Sequence, residues 1–219
     1  VYVLILHMVF KLLEDEIVFP DPALADPDGL LAIGGDLHME RLLLAYENGI
    51  FPWFSEDDPI CWFSPHERCV IFPENLKVSK SMKKVFKDGI FRISMNEAFK
   101  EVIMHCASVE RKDQNGTWIT SEMQEAYINL HINGYAHSVE VWRDDKLVGG
   151  LYGILVNRVF CGESMFSLVS NASKSALIWL CEQSRLLMID CQMPNDHLMS
   201  LGAEMIDRET YLKLLKRKA

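Results

Sequence analysis

Residues Ala136–Ser164 read AHSVEVWRDDKLVGGLYGILVNRVFCGES, and the fold turns on this stretch. Three runs rich in valine, leucine, isoleucine and aromatic residues are separated by Arg143-Asp144-Asp145-Lys146 and by Val156-Asn157-Arg158. Both separators are short and polar, of the kind that reverses a chain between strands. The stretch is therefore predicted to form three strands in an antiparallel meander. The glycines of LVGGLYG lack the strand-to-helix setting and the lysine of a phosphate-binding loop, so they are expected to permit a bulge or a close approach within a strand.

Moving outward, the pattern alternates between strand and helix. Upstream, RCVIFP from Arg68 and IFRISM from Ile90 read as strands. Ser79–Lys87, Asn96–Ala107 and Ser121–Asn133 read as helices, with Asn96 as a cap and Gly134 as a stop. Downstream come a helix over 171–186, the strand LMIDCQ, a short helix opening at Asn195 and a last helix from Asp207. Before residue 66 the chain differs. Pro20, Pro22, Pro27, Asp28 and Gly29 make a turn-rich entry to GLLAIGGDL, Met39–Asn48 is a short amphipathic helix closed by Gly49, and residues 50–65 are aromatic and broken by proline. The expected organisation is a small N-terminal domain over residues 1–65 and an α+β, acyltransferase-like domain with a mixed sheet over residues 66–219. No repeat of 20–50 residues is present.

Composition sets outer bounds. Half of the 219 residues are apolar and a quarter charged, as in ordinary globular chains. A net charge of −9 argues against unaided, non-specific binding of nucleic acid, so an RNA partner would need a local basic patch. Lys77, Lys80, Lys83, Lys84 and Lys87 supply the best candidate for such a patch. The six cysteines show no CxxC spacing and are expected to be buried, reduced thiols in a cytoplasmic protein. His105, Cys106, His131, His137 and Cys161 have no zinc-site spacing, so no metal is expected. VYVLILHMVF has no basic region before it, no cleavage site after it and too few residues to span a bilayer, and Met8 offers a conventional start with the preceding residues upstream of it.

Two segments place polar groups where they are costly. Phe160-Cys161-Gly162-Glu163-Ser164-Met165-Phe166-Ser167 sets a carboxylate among large apolar residues, and Ile189-Asp190-Cys191-Gln192 sets an acid and an amide in a strand. Alternation would put Asp190 and Gln192 on one face of that strand. They could instead cap the helix near Asn195, and Glu163 could be a solvated turn residue. Trp53 and Trp118 lie in loop-like segments, where an indole can stack on a base or plug the junction between domains.

Laid side by side, GLLAIGGDL, RLLLAYENGIFPWFS, GTWIT, AHSVEVW, LVGGLYG, FCGESMFS, NASKSAL, IDCQ and NDHLMSLGAE resemble the bacterial leucyl/phenylalanyl-tRNA-protein transferase family. The resemblance runs from about Phe19 to Leu215, with a basic tail that ends sooner than the family's, and with Leu151 where the family commonly has Met. It implies an acetyltransferase-like (acyl-CoA N-acyltransferase-type) catalytic domain. The implied reaction moves leucine or phenylalanine, less well methionine, from aminoacyl-tRNA to the α-amine of proteins beginning with Arg or Lys, marking them for degradation.

The resemblance also assigns roles. Asp190 would orient or deprotonate the attacking amine, Gln192 would hydrogen-bond near the reacting carbonyl, and Glu163 would lie in the acceptor pocket. Leu151, Phe160 and Met165 would line a pocket for the donor side chain, and Trp53 and Trp118 would enclose the terminal adenine. In that setting Lys80, Lys83 and Lys84 are the candidates for acceptor-stem phosphates. No cofactor is expected, and no membrane partner. Two other readings stay open at this point: an acyl-CoA-dependent N-acyltransferase on the same fold, and a non-catalytic adaptor for basic N-termini.

Overall fold

The computed structural model describes residues 9–109, 117–183 and 185–217; Met8 and the segment before it, and Gly116 of GTWIT, lie outside the described residues. Two sheets organise the chain. The first holds β1 (Phe10–Leu12), β2 (Leu30–Gly34), β3 (Phe51–Pro52) and β4 (Cys61–Phe63) in the order β1-β2-β4-β3, with α1 (Met39–Glu47) between β2 and β3. Leu30–Gly34 of GLLAIGGDL form β2, which follows the turn-rich entry. Trp62 is fully enclosed and donates its indole N–H to Gly34 O at 2.8 Å, which ties β4 to the end of β2.

The second sheet has seven strands: β5 (Glu67–Ile71), β6 (Arg92–Met95), β7 (Ala136–Arg143), β8 (Lys146–Val156), β9 (Val159–Ser167), β10 (Met188–Gln192) and β11 (Glu204–Asp207). Their order is β11-β5-β10-β9-β8-β7-β6. The expected meander is present as β7-β8-β9, antiparallel throughout, and all other pairs are antiparallel except β9 with β10. This is the mixed sheet of an α+β fold. β11 has no counterpart among the expected strands; EMID is short and half polar, and its pairing with β5 supplies what its sequence pattern does not.

Helices α2 (Lys80–Lys87), α5 (Ala172–Gln183) and α6 (Asp196–Ser200) cover one side of this sheet around Met82, Ala176, Ile178, Ile189 and Leu198. Helices α3 (Phe99–Ser108), α4 (Ser121–Ile132) and α7 (Arg208–Leu215), together with α1 and the first sheet, share the other core around Leu42, Val102, Tyr127, Tyr152 and Tyr211. Close approach explains two of the glycines in β8. A Cβ on Gly149 would sit 2.5 Å from the Ala172 Cβ of α5, and one on Gly153 would sit 2.2 Å from Cys161 O and 2.7 Å from the Phe160 ring.

Asn96 does not cap α3. It adopts φ +63° at the turn after β6, and its Oδ1 accepts the Ser138 N–H at 3.0 Å. The enclosed Glu140 carboxylate takes up the start of that helix instead, receiving the Glu97 and Ala98 N–H groups at 3.4 Å and the Ser94 and Ser138 hydroxyls at 2.7 and 2.5 Å. A long-range partner has displaced a local one. Ser79, Thr120, Asn195 and Asp207 cap α2, α4, α6 and α7 through their side chains, as short polar residues at these positions do.

Candidate active site

β9 and β10 run side by side only as far as the pair Cys161 and Asp190. Beyond it β9 continues alongside β8, whereas β10 slips register against β5 between Asp190 and Gln192 and places Gln192 at φ +60°. A bulge of this kind bends a strand and re-aims the residues that follow. The strands part, and a cavity of about 520 Å³ fills the gap. Phe51, Pro52 and Trp53 close it from the first sheet, Trp118 from the segment before α4, and Leu177 and Leu198 from α5 and α6.

Most of the expected site residues meet in this cavity. Leu151 of β8 pairs with Met165 of β9, and with Phe160 they form an apolar wall. Trp53 is 40% exposed and Trp118 half-buried, and both line the cavity. Glu163 and Gln192 supply its polar side: the Gln192 Nε2 donates to Glu163 Oε1 at 3.1 Å.

Glu163 is only 7% exposed. The Tyr46 hydroxyl of α1 donates to its Oε1 at 2.7 Å and the Tyr127 hydroxyl of α4 to its Oε2 at 3.2 Å, and the two tyrosine hydroxyls also touch each other. Among the described residues no cation pairs with it. Burial is the main influence on this carboxyl and raises its pKa to about 7; the tyrosine hydroxyls oppose that rise, and the charge of Asp190 adds to it. The tyrosines are themselves pushed well above 10, by burial first and by Glu163 second, so they remain donors.

Asp190 is enclosed and does not open to the cavity: it is 1% exposed and absent from the cavity wall. Its Oδ2 receives Arg68 Nη1 and the Tyr211 hydroxyl, each at 2.8 Å, and its Oδ1 receives the backbone N–H of Gln192 at 2.8 Å. Its partners come from the core shared with the first sheet, as do the tyrosines on the Glu163 carboxylate that Gln192 reaches, so enclosure under Arg68 and Tyr211 is what separates the acid from the cavity. Arg68 also donates to Gly49 O at 2.5 Å and lies over the Phe51 and Tyr211 rings. One guanidinium thus links the first sheet, β10 and α7.

Lys80, Lys83, Lys84 and Lys87 stand exposed along α2, outside the cavity wall, and Lys84 pairs with Asp88 at 2.5 Å. Sequence reading passed over Tyr46, Tyr127, Arg68 and Tyr211. Arg68 carried the one usable cue, a cation at the head of the apolar run CVIF, where enclosure demands an acid. The tyrosines read as core.

All six cysteines are free thiols. Among the described residues no group of three or more His, Cys, Asp or Glu side chains could hold a metal, and no helix is long and apolar enough to cross a membrane.

The family model for leucyl/phenylalanyl-tRNA protein transferase matches residues 70–216, and the model for that family's N-terminal domain matches residues 35–66. The leucyl/phenylalanyl-tRNA–protein transferase of Flavobacterium johnsoniae is 54% identical over 216 residues, covering 97% of this chain and 100% of that protein. The protein of the same name from Escherichia coli O157:H7 is 53% identical over 212 residues, covering 94% of this chain and 89% of that one. Among solved structures, a GCN5-related N-acetyltransferase from Kribbella flavida aligns with a TM-score of 0.37 and 12% identity over 73% of this chain and 57% of its own.

Proposed function

This chain belongs to the leucyl/phenylalanyl-tRNA–protein transferase family, and from that premise we propose how its cavity serves the reaction. The protein is an aminoacyltransferase that moves an amino acid from aminoacyl-tRNA to a protein N-terminus. It is therefore neither an acyl-CoA-dependent enzyme nor a non-catalytic adaptor. We propose leucine and phenylalanine as the preferred donor residues, with methionine used less well, and proteins beginning with Arg or Lys as acceptors, in the cytoplasm. Residues 1–65 and 66–219 are proposed as its two domains.

One observation carries the assignment of the site. A single cavity has an apolar wall of Leu151, Phe160 and Met165, two indoles, and a carboxylate that pairs with no cation among the described residues. The apolar wall suits a leucine or phenylalanine side chain. Trp53 and Trp118 suit the terminal adenosine, a contact that needs no sequence readout beyond one base. The buried Glu163 suits an ammonium group, which would supply the charge it lacks.

Aminolysis needs a neutral amine. An α-ammonium titrates near about 8, close enough to the raised pKa of Glu163, about 7, for the proton to pass at neutral pH. In this proposal Glu163 takes that proton, the amine attacks the ester carbonyl, and the collapsing tetrahedral intermediate returns a proton to the departing ribose hydroxyl. Gln192 has two amide N–H groups; one is used at Glu163, and we assign the other to the carbonyl oxygen as it gains charge. Asp190 is a positioning residue here. Through the Gln192 N–H it holds the backbone that aims the amide, and Arg68 and Tyr211 hold Asp190.

The test is transfer of labelled phenylalanine from phenylalanyl-tRNA to an Arg-starting peptide, with an Asp-starting peptide alongside. Transfer to the first and not the second is expected, and Glu163→Gln should raise the KM of the Arg peptide more than that of the tRNA. Equal use of both peptides, or an unchanged acceptor KM, would remove Glu163 from the acceptor site.

A further inference from the structure

Cys69 of β5 and Cys191 of β10 occupy neighbouring positions on the same face of the sheet. Ile189 pairs with Ile71 and Asp190 with Val70; the register then slips, Gln192 stands opposite Cys69, and Cys191 is the extra residue of the bulge beside that pair. Both belong to the core on the α5 side, and their thiols are within hydrogen-bonding reach of each other. A disulfide requires Cα atoms about 4.4–6.8 Å apart, a span that residues neighbouring each other across one strand pair can reach.

Their accessibility differs. Cys69 has no exposed surface, whereas Cys191 is half-buried and lines the cavity. A small oxidant entering by the substrate's route meets Cys191 first, with a second sulfur directly behind it. The hydrogen bond to Cys69 and burial push the Cys191 thiol up, so its oxidation is slow and calls for excess oxidant, while the same bond holds the Cys69 thiol down as a resolving partner behind it.

We propose that Cys69 and Cys191 form a redox-modification site in which hydrogen peroxide joins them as a disulfide and switches transfer off. The Cys191 sulfur attacks one peroxide oxygen, the O–O bond breaks, and a sulfenic acid and one water result. The Cys69 sulfur then attacks the Cys191 sulfur, the S–O bond breaks, and the departing hydroxide takes the Cys69 proton as a second water. Two thiols lose two electrons, and one peroxide gains them.

The off state follows from position. Cys191 opens the bulge that sets Gln192 at φ +60° and aims its amide at Glu163. Linking Cys191 to β5 draws the bulge toward that strand and takes Gln192 out of register with Glu163. This consequence rests on the proposal that Gln192 serves the reaction centre; formation of the disulfide does not.

The experiment treats the full chain with a graded excess of hydrogen peroxide and maps its peptides by mass spectrometry without reduction, with transfer from phenylalanyl-tRNA assayed in parallel. A Cys69–Cys191 linked peptide is expected, transfer should fall at least tenfold in step with it, and dithiothreitol should reverse both. Cys69→Ala lies outside the cavity and should keep basal transfer, form no linked peptide and show no loss that dithiothreitol reverses. Mapping of the parent chain decides the linkage even if that variant does not fold. Oxidation of Cys191 to a sulfinic acid with no linked peptide would overturn the site, and a linked peptide with transfer unchanged would overturn the switch. Absence of transfer before any treatment would instead tell against the functional reading, with the mapping still deciding the chemistry.

Discussion

Arg68 Nη1 donates to Asp190 Oδ2 at 2.8 Å, with both side chains enclosed and the guanidinium between the rings of Phe51 and Tyr211. This pair sits at the seam between the two sheets. It encloses the acid of IDCQ, and the amide two residues on lines the cavity. Removing one member of a buried ion pair leaves the other charge uncompensated, which typically costs about 3–5 kcal/mol.

Arg68→Met is therefore expected to lower stability by about 3–5 kcal/mol in a denaturant titration. Asp190→Asn, which keeps much of the shape and some of the hydrogen bonds, should lose less stability but still lower kcat by loosening Gln192. Loss of stability from Arg68→Met within about 0.5 kcal/mol, the level of ordinary surface substitutions, would contradict the structural role given to the pair.

Glu163 makes a separate prediction about stability. Its pKa is raised on folding from the ordinary carboxylate range to about 7, so between those values the folded chain holds a proton that the unfolded chain has released. Its contribution is thus fully favourable below about pH 4.5, declines as pH rises and levels off above about 7. Glu163→Gln should flatten that decline and narrow the stability gap at pH 8, as read from melting curves across pH. A decline of unchanged steepness in the variant would assign it to other groups.

How far sequence led can be judged from particular elements. The meander β7-β8-β9 was legible because each strand carries its own apolar run and each turn its own polar reversal. The starts of α2 at Ser79 and of α7 at Asp207 were legible for the same local reason. What escaped were features made by distant partners: β11 as a strand, Glu140 in place of Asn96 at α3, and the Tyr46–Glu163–Tyr127 cluster drawn from three elements. Alternation in IDCQ pairs Asp190 with Gln192 but carries no sign that Arg68 and Tyr211 enclose the acid, because those partners come from β5 and α7 and a four-residue motif describes one strand.

Trp53 and Trp118 should each contribute to donor binding. Base–aromatic stacking is worth about 1–3 kcal/mol per base, equivalent to about 5- to 150-fold in affinity. Trp53→Ala and Trp118→Ala are expected to raise the KM of aminoacyl-tRNA and of a minimal aminoacyl-adenosine donor alike, with the double variant losing less than the sum if both rings hold one base. A KM effect confined to the full tRNA would place the indoles away from the adenosine.

The lysines of α2 should behave in the opposite way. Lys83 and Lys84 are exposed and lie outside the cavity wall, so charge reversal at both is expected to weaken tRNA binding and flatten its salt dependence while sparing the minimal donor. The measurement is KM for each donor across a range of salt. Equal losses with both donors would show that α2 acts through the fold and not through phosphates.

The central claim is that the amine meets Glu163 and Gln192 in the cavity while Asp190 stays behind them. Its most direct test is a pH–rate profile of single-turnover transfer for the parent, Glu163→Gln and Asp190→Asn. The account predicts a limb that rises through about pH 7 in the parent, persists at lower amplitude in Asp190→Asn and disappears in Glu163→Gln. A limb that survives in Glu163→Gln, or vanishes in Asp190→Asn, would contradict it.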